Sequence, residues 1–301
     1  MNIVRAGLAL LIIFIFSIVF FSSPIQILSK KNKEAQKAQD IPKLYPYPTK
    51  SDLYEPAPPI SARSATVIDA KTGVVLYQKD ADIAHLPAST AKLMTALVAL
   101  EKCAPSQIIT VGYVEREPTQ MGLASGDVVT VENLLYGLLV ASGNDAAYAL
   151  SYSCAKNTFQ FVEQMNLKAK ELEMKNTHFQ NPAGFDSPSQ FTTARDLAKL
   201  AKVAVANPLI SRIVATKEIT VTNANNQKNY YLKNVNALLG TVKGVEGIKT
   251  GLTEGALQSL ITKTKREGNT IITVVLGSED RFLDSTALID WAFANHRWQA
   301  P

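Results

Sequence analysis

A serine lies three residues ahead of a lysine at Ser89 and Lys92, within PASTAKLMTALVAL (87–100). A serine hydroxyl is a weak nucleophile until a neighbouring base takes its proton. A lysine amine can act as that base when burial and nearby cations lower its pKa. Pro87 suits a helix start, which puts Ser89 in the first turn and Lys92 on the same face. The positive end of the helix would favour a developing anion there. Farther on, LLVASGNDAAYAL carries Ser142-Gly143-Asn144 between two helical stretches, where loop side chains can project into a cleft. The plain structural reading is a C-cap at Gly143 and an N-cap at Asn144 or Asp145. The tripeptide Lys-Thr-Gly occurs at both 71–73 and 249–251. The first copy separates the β-rich runs ATVID (65–69) and VVLYQ (74–78), and reads as a hairpin turn with glycine where positive φ is convenient. The second opens a strand. Lys249 there can face a carboxylate, and Gly251 lets a ligand backbone come close.

These residues need elements to hold them. In Val131–Val140 the apolar positions 131, 134, 135, 138 and 139 follow helical spacing, with Thr130 as N-cap. Further helices are expected over 145–155, 159–174 and 194–206, the last opened by Thr193-Ala-Arg-Asp196, which has the form of a capping box. Strands follow at 247–250, 257–264 and 270–276, with a turn at 266–269 and a final helix over 285–294. Strands, then helices, then strands predict one sheet with a helical insertion.

Taken together, in the order S-x-x-K, S-x-N, K-T-G, the three motifs are the active-site set of penicillin-binding proteins and serine β-lactamases. The stretches SATVIDAKTGVVLY, LPASTAKLMTALVAL, LLYGLLVASGNDAAYAL, FVEQMNLKAKELEMKNTHFQNPAGF, TTARDLAKLA, VEGIKTGLTEGA and ITVVLG carry the likeness further. From about Ser61 to Phe293 the chain resembles the serine-type D-alanyl-D-alanine carboxypeptidases, the low-molecular-mass penicillin-binding proteins. That resemblance implies an α+β, β-lactamase/transpeptidase-like fold with an antiparallel sheet beside a helical cluster. It implies a peptidoglycan stem peptide ending in D-Ala-D-Ala as substrate, β-lactam antibiotics as covalent inhibitors, and no cofactor.

By the same resemblance Ser89 is the acylated nucleophile, Lys92 its general base and Ser142 a proton relay. Asn144 would hold the substrate's peptide, and Lys249, Thr250 and Gly251 its terminal carboxylate. The backbone N–H groups of Ser89 and Leu252 would form the oxyanion hole, and Arg281 would assist carboxylate recognition. Leu252 stands where some relatives have His, and Ala256-Leu257 where many have Ala-Gly. The alternatives are a β-lactamase-like hydrolase or DD-endopeptidase of the same fold. FVEQMN (161–166) faintly resembles the Glu-x-x-Leu-Asn of β-lactamases, but Glu163 and Asn166 are three apart rather than four, and helical periodicity puts Glu163 on an exposed face. A rival of another class, a non-catalytic penicillin or wall-peptide sensor, would require a lost catalytic side chain, and every expected one is present.

The bulk properties narrow the setting. The 301 residues are 47% hydrophobic and 19% charged, and 31 basic less 26 acidic residues leave +5. That suits association with anionic envelope polymers or lipid. No dense basic run interleaved with aromatics marks a nucleic-acid binder. The histidines, His85, His178 and His296, are far apart, and Cys103 and Cys154 make no ligand pattern, so no metal site is expected. Outside the cytoplasm the cysteines can form one disulfide; two small buried residues on helices is the simpler reading.

From Ala6 to Leu28 run 23 residues without a charge, and a spanning helix needs about 20. The segment 1–28 therefore reads as an uncleaved membrane anchor, a cleaved signal being the alternative. The segment 29–59, rich in lysine and then proline, reads as an extended spacer, and 60–301 as the catalytic domain. Arg5 precedes the span while Lys30, Lys31, Lys33 and Lys37 follow it, which by the positive-inside tendency alone would keep the domain in the cytoplasm. Long domains cross regardless of such charges, and the implied substrate lies outside. A single-pass protein of the bacterial cell membrane, with an extracytoplasmic catalytic domain, is the expected topology.

Overall fold

The computed structural model describes residues 45–112, 114 and 118–299. The expected membrane anchor, 1–28, and the spacer up to residue 44 lie outside the described residues. Among the described residues no helix is long and apolar enough to cross a membrane.

In chain order the elements begin with β1 (Tyr47–Lys50), β2 (Ser64–Asp69), β3 (Val75–Lys79) and a 3-10 turn (Ala88–Ala91) that leads into α1 (Lys92–Lys102). Next come β4 (Ile108–Thr110), β5 (Val128–Thr130), α2 (Val131–Leu139), α3 (Asn144–Ser153) and α4 (Thr158–Glu171). After them come α5 (Ala194–Ala204), α6 (Pro208–Val214), β6 (Glu218–Thr222) and β7 (Asn229–Lys233). The chain then returns through β8 (Val245–Thr253), β9 (Leu257–Arg266), β10 (Asn269–Ser278), α7 (Arg281–Asn295) and β11 (His296–Gln299).

The central sheet is antiparallel, in the order β3-β2-β10-β9-β8. Successive side chains of a strand face opposite ways, and β10 shows the consequence. Ile271 and Val275 join the core under α7 with Leu260, Leu288 and Ile289. Ile272 and Val274 join the larger core of the helical cluster with Leu93, Met94, Leu134, Phe161 and Leu197. Local signals in the sequence act as expected: Thr130 Oγ1 accepts from Asn133 N at 3.2 Å, and Thr193 Oγ1 from Asp196 N at 3.1 Å. Each such cap contributes about 1 kcal/mol. The first Lys-Thr-Gly is a turn, with Gly73 at φ 81° and Asp69 Oδ1 accepting from the N–H groups of Lys71 and Thr72.

Two expectations need correction. The proline-rich stretch through residue 59 is not all spacer, because Tyr47–Lys50 pairs antiparallel with His296–Gln299. Pro48 is tolerated because a two-stranded ladder leaves every strand an open edge. Beyond β1 the chain stays tied to α7. Ser51 N donates to Asn295 O at 2.9 Å, Trp291 Nε1 donates to Glu55 O at 2.9 Å, and the Tyr54 ring meets Trp291 edge-on. The compact unit therefore begins at Pro46 rather than at Ile60. The cysteines are buried, but as a disulfide: Cys103 and Cys154 end α1 and α3, and their Cα atoms are 5.6 Å apart. Packing of the two helices, which spacing alone does not reveal, brings them together.

Candidate active site

Ser89 sits on the 3-10 turn, not on the first turn of an α-helix; the regular helix starts at Lys92. The turn is entered through Ala88 at φ 47°, a left-handed conformation that is costly for a residue with a Cβ. It is braced from behind by Gly184. A Cβ on Gly184 would lie 1.8 Å from Ala88 O, so only glycine lets the 183–184 backbone pack there.

Lys92 reaches back beneath the turn and is 0% exposed. Its Nζ lies 2.9 Å from Ser89 Oγ, 2.7 Å from Asn144 Oδ1 and 2.6 Å from Ala183 O. Burial, and then the charge of Lys249, push its pKa well below the ordinary lysine range, while Asp145 pulls the other way. Two of the three partners are carbonyl oxygens, which only accept. A neutral Lys92 thus gives both its N–H bonds to Asn144 and Ala183, and its lone pair is left facing Ser89 Oγ.

The second motif forms the opposite wall. The left-handed residue is Ser142, at φ 60°, and Gly143 is the N-cap of α3, so the expected cap assignment shifts by one residue. Glycine is needed at 143 because a Cβ would meet Asp145 Oδ1 at 2.7 Å and Met121 N at 3.0 Å. Ser142 and Asn144 are both buried.

The third wall is β8, whose outer edge has no strand partner among the described residues. Lys249 Nζ donates to Ser142 Oγ at 2.9 Å and to Thr250 O at 3.0 Å. Burial, reinforced by the nearby Arg281, brings its pKa down to about 7. Gly251 runs against the 3-10 turn that carries Ser89: a Cβ there would be 3.0 Å from Ala88 Cβ and 3.3 Å from Pro87 O. Arg281, the first residue of α7, donates from Nη1 to Gly251 O at 2.7 Å. Thr250 is buried beside Lys249, whereas Leu252 is 63% exposed.

The sequence motifs therefore converge as pairs: Lys92 on Ser89 and Asn144, Lys249 on Ser142, Arg281 on Gly251. Glu163 is an exposed helix residue, as its spacing predicts. Sequence reasoning missed Asp145, Ala183 and Gly184. Their one signal was that NDAA adjoins Ser142-Gly143 and that NPAGF falls within a stretch noted for its likeness. The arrangement can activate a serine in a cleft lined by amines and an arginine, which suits an acyl group bearing a carboxylate.

Comparison with known proteins follows the same lines. The family model for D-alanyl-D-alanine carboxypeptidases matches residues 52–280. The chain is 34% identical over 245 residues to the D-alanyl-D-alanine carboxypeptidase DacF of Bacillus subtilis, covering 78% of this chain and 63% of that one. It is 34% identical over 258 residues to the D-alanyl-D-alanine carboxypeptidase of Streptomyces sp. strain K15, covering 79% of this chain and 89% of that one. It therefore spans less than two thirds of the Bacillus relative. The solved structure of the Streptomyces K15 DD-transpeptidase superimposes with a TM-score of 0.73 at 33% identity, over 80% of this chain and 100% of that one. The expected transpeptidase-like α+β fold is the fold of this chain.

Proposed function

Because the chain belongs to the D-alanyl-D-alanine carboxypeptidase family, we propose that it removes the terminal D-alanine from peptidoglycan stem pentapeptides through an acyl-enzyme on Ser89. The observation that carries this reading is the set of partners around Lys92, which leaves an unprotonated amine only one use for its lone pair.

Lys92 takes the hydroxyl proton as Ser89 Oγ attacks the penultimate D-alanine carbonyl. The N–H groups of Ser89 and Leu252 receive the oxyanion, where losing one donor typically costs ~10²–10³ in rate. Lys249, Thr250 and Arg281 hold the terminal carboxylate, and Asn144 the peptide. Ser142, hydrogen-bonded to Lys249, passes a proton to the leaving nitrogen as the C–N bond breaks. Free D-alanine departs, and water then hydrolyses the Ser89 ester. The open edge of β8 suits an extended peptide added as a further strand.

The reading extends to location. The disulfide between Cys103 and Cys154 supports an oxidising compartment, and the proposed substrate lies outside the cytoplasm. An anchor over 1–28, with a spacer that ends at β1, would present the domain to the wall.

Incubation with a stem pentapeptide ending in D-Ala-D-Ala should release D-alanine. Penicillin should add its mass to the peptide containing Ser89, and Ser89→Ala should abolish the adduct. An adduct on another serine would overturn the nucleophile assignment.

A further inference from the structure

Asp145 follows Asn144 on the first turn of α3, is buried, and touches none of the reacting groups. Its carboxylate is nonetheless fully engaged. Oδ1 accepts from Met121 N at 2.9 Å and Ala146 N at 2.9 Å, and Oδ2 from Gly122 N at 3.0 Å and Leu123 N at 3.0 Å. Consecutive N–H groups curled on one anion form a nest, and Gly122 at φ 96° supplies the curl. Bonds of this kind to an ionised carboxylate are about twice as strong as neutral ones.

The segment held in this way returns the contact one residue earlier in α3. Pro118 O accepts from Asn144 Nδ2 at 2.5 Å, and Thr119 O accepts from Asn144 N at 2.9 Å. Pro118 O can only accept, so it fixes which end of the Asn144 amide is the NH2. The other end, Oδ1, then faces Lys92 Nζ at 2.7 Å. Turned over, the amide would direct an N–H at Lys92, and the amine would spend its lone pair on that donor instead of on Ser89. The orientation of one amide thus decides whether Lys92 is a base.

We propose that Asp145 is a positioning residue for acylation: it holds 121–123, which places the Pro118 and Thr119 carbonyls, which lock the Asn144 amide with its oxygen toward Lys92. The proposal rests on the Ser89 acyl-enzyme reading above. The segment has a second tether that does not involve Asp145. Lys228 Nζ donates to Gly122 O at 2.9 Å and to Asp127 Oδ2 at 2.7 Å, and Tyr230 OH donates to the same Oδ2 at 2.7 Å. Loss of the Asp145 carboxylate therefore loosens the segment without freeing it.

The test is Asp145→Asn, read by stopped-flow acylation with a fluorescent penicillin across pH. In this variant an NH2 confronts either Met121 N and Ala146 N or Gly122 N and Leu123 N. We expect the acylation step to slow by ~10²-fold, the typical result of a small misplacement of a reacting group, while the carboxylate contacts of Lys249 and Arg281 keep non-covalent penicillin binding detectable. The pH profile adds a readout that a merely structural role would not move. The charged groups acting on Lys92 are Lys249 from β8, which lowers its pKa, and Asp145 from α3, which raises it. Acylation needs neutral Lys92, so its rise with pH follows that pKa, and loss of the Asp145 charge should move the rise to lower pH. Gly122→Ala gives a second test, since a Cβ there meets open space but the positive φ is strained. It should slow acylation about 5- to 10-fold, because the strained backbone shifts the segment and with it the Pro118 and Thr119 carbonyls. Wild-type rates and an unmoved profile in Asp145→Asn, or an unchanged rate in Gly122→Ala if the first variant does not fold, would overturn the proposal. A wild-type protein that penicillin fails to acylate at Ser89 would instead overturn the underlying reading.

Discussion

Lys249 should cost the fold stability, and the cost should depend on pH in a calculable way. Its pKa falls from the ordinary 10.5 to about 7 in a fully buried site, a difference of roughly 5 kcal/mol between the charged and neutral forms. At or below pH 7 the unfolded chain holds the proton freely while the folded chain must either bury the charge or give it up, so the penalty is present in full. Between about pH 7 and 10.5 the unfolded state binds more protons than the folded one, so stability rises with pH by at most about 1.4 kcal/mol per pH unit. Lys249→Met keeps the length of the side chain and removes the charge. Ser142 Oγ and Thr250 O lose a donor, at about 1–3 kcal/mol for any that stays unsatisfied. The net gain near pH 6.5 should be roughly 1–3 kcal/mol, a Tm rise of about 3–8 °C for a domain of this size. Acylation should collapse in the same variant. The carboxylate site loses its ammonium, and Lys92, freed from the Lys249 charge that depresses it, becomes a poorer base at neutral pH. Thermal unfolding at pH 6.5, 8 and 10, with penicillin acylation alongside, measures both effects. The Tm gap should close as pH rises. A less stable variant at pH 6.5, or a gap independent of pH, would refute the reasoning.

The disulfide gives a prediction of opposite sign. Closing a 51-residue separation is worth about 4 kcal/mol on the chain-entropy model. Cys103→Ser with Cys154→Ser should therefore lower the Tm by roughly 10 °C while leaving acylation measurable at 25 °C, and a reductant should lower only the wild-type Tm. Leu252→Ala should change stability by no more than ~0.5 kcal/mol, as usual for an exposed position, and retain penicillin acylation, because the side chain is 63% exposed and only its N–H is assigned a role. Loss of acylation there would refute that assignment.

What the sequence made legible was local or ordered. Thr130 and Thr193 cap helices through contacts three residues long, so spacing alone finds them. The three motifs are short and come in a fixed order, so the second Lys-Thr-Gly could be told from the first. What stayed hidden came from distance along the chain. Ala183 reaches Lys92 across 91 residues, and nothing about an alanine announces that its carbonyl will accept from a buried lysine. Asp145 reads as an ordinary helix-start acid, because three of its four partners are backbone N–H groups more than 20 positions upstream. Tyr47–Lys50 was concealed by Pro48, by Pro46 just before it, and by a pairing partner at the far end of the chain. β4 and β5 are three residues each, too short to show alternation.

Two lysines share one buried cleft, and burial disfavours the charge on both. The proposed chemistry requires them to differ, since one must be neutral to accept a proton and the other charged to hold a carboxylate. Their partners supply the difference. Lys92 has two fixed carbonyl acceptors, which a neutral amine satisfies fully. Lys249 faces a hydroxyl and its own strand's carbonyl beside the open edge of β8, where a ligand carboxylate can supply the missing counter-charge. A carboxylate arriving there would fix the proton on Lys249. A ligand without a carboxylate leaves Lys249 to bury its charge alone or to give up its proton.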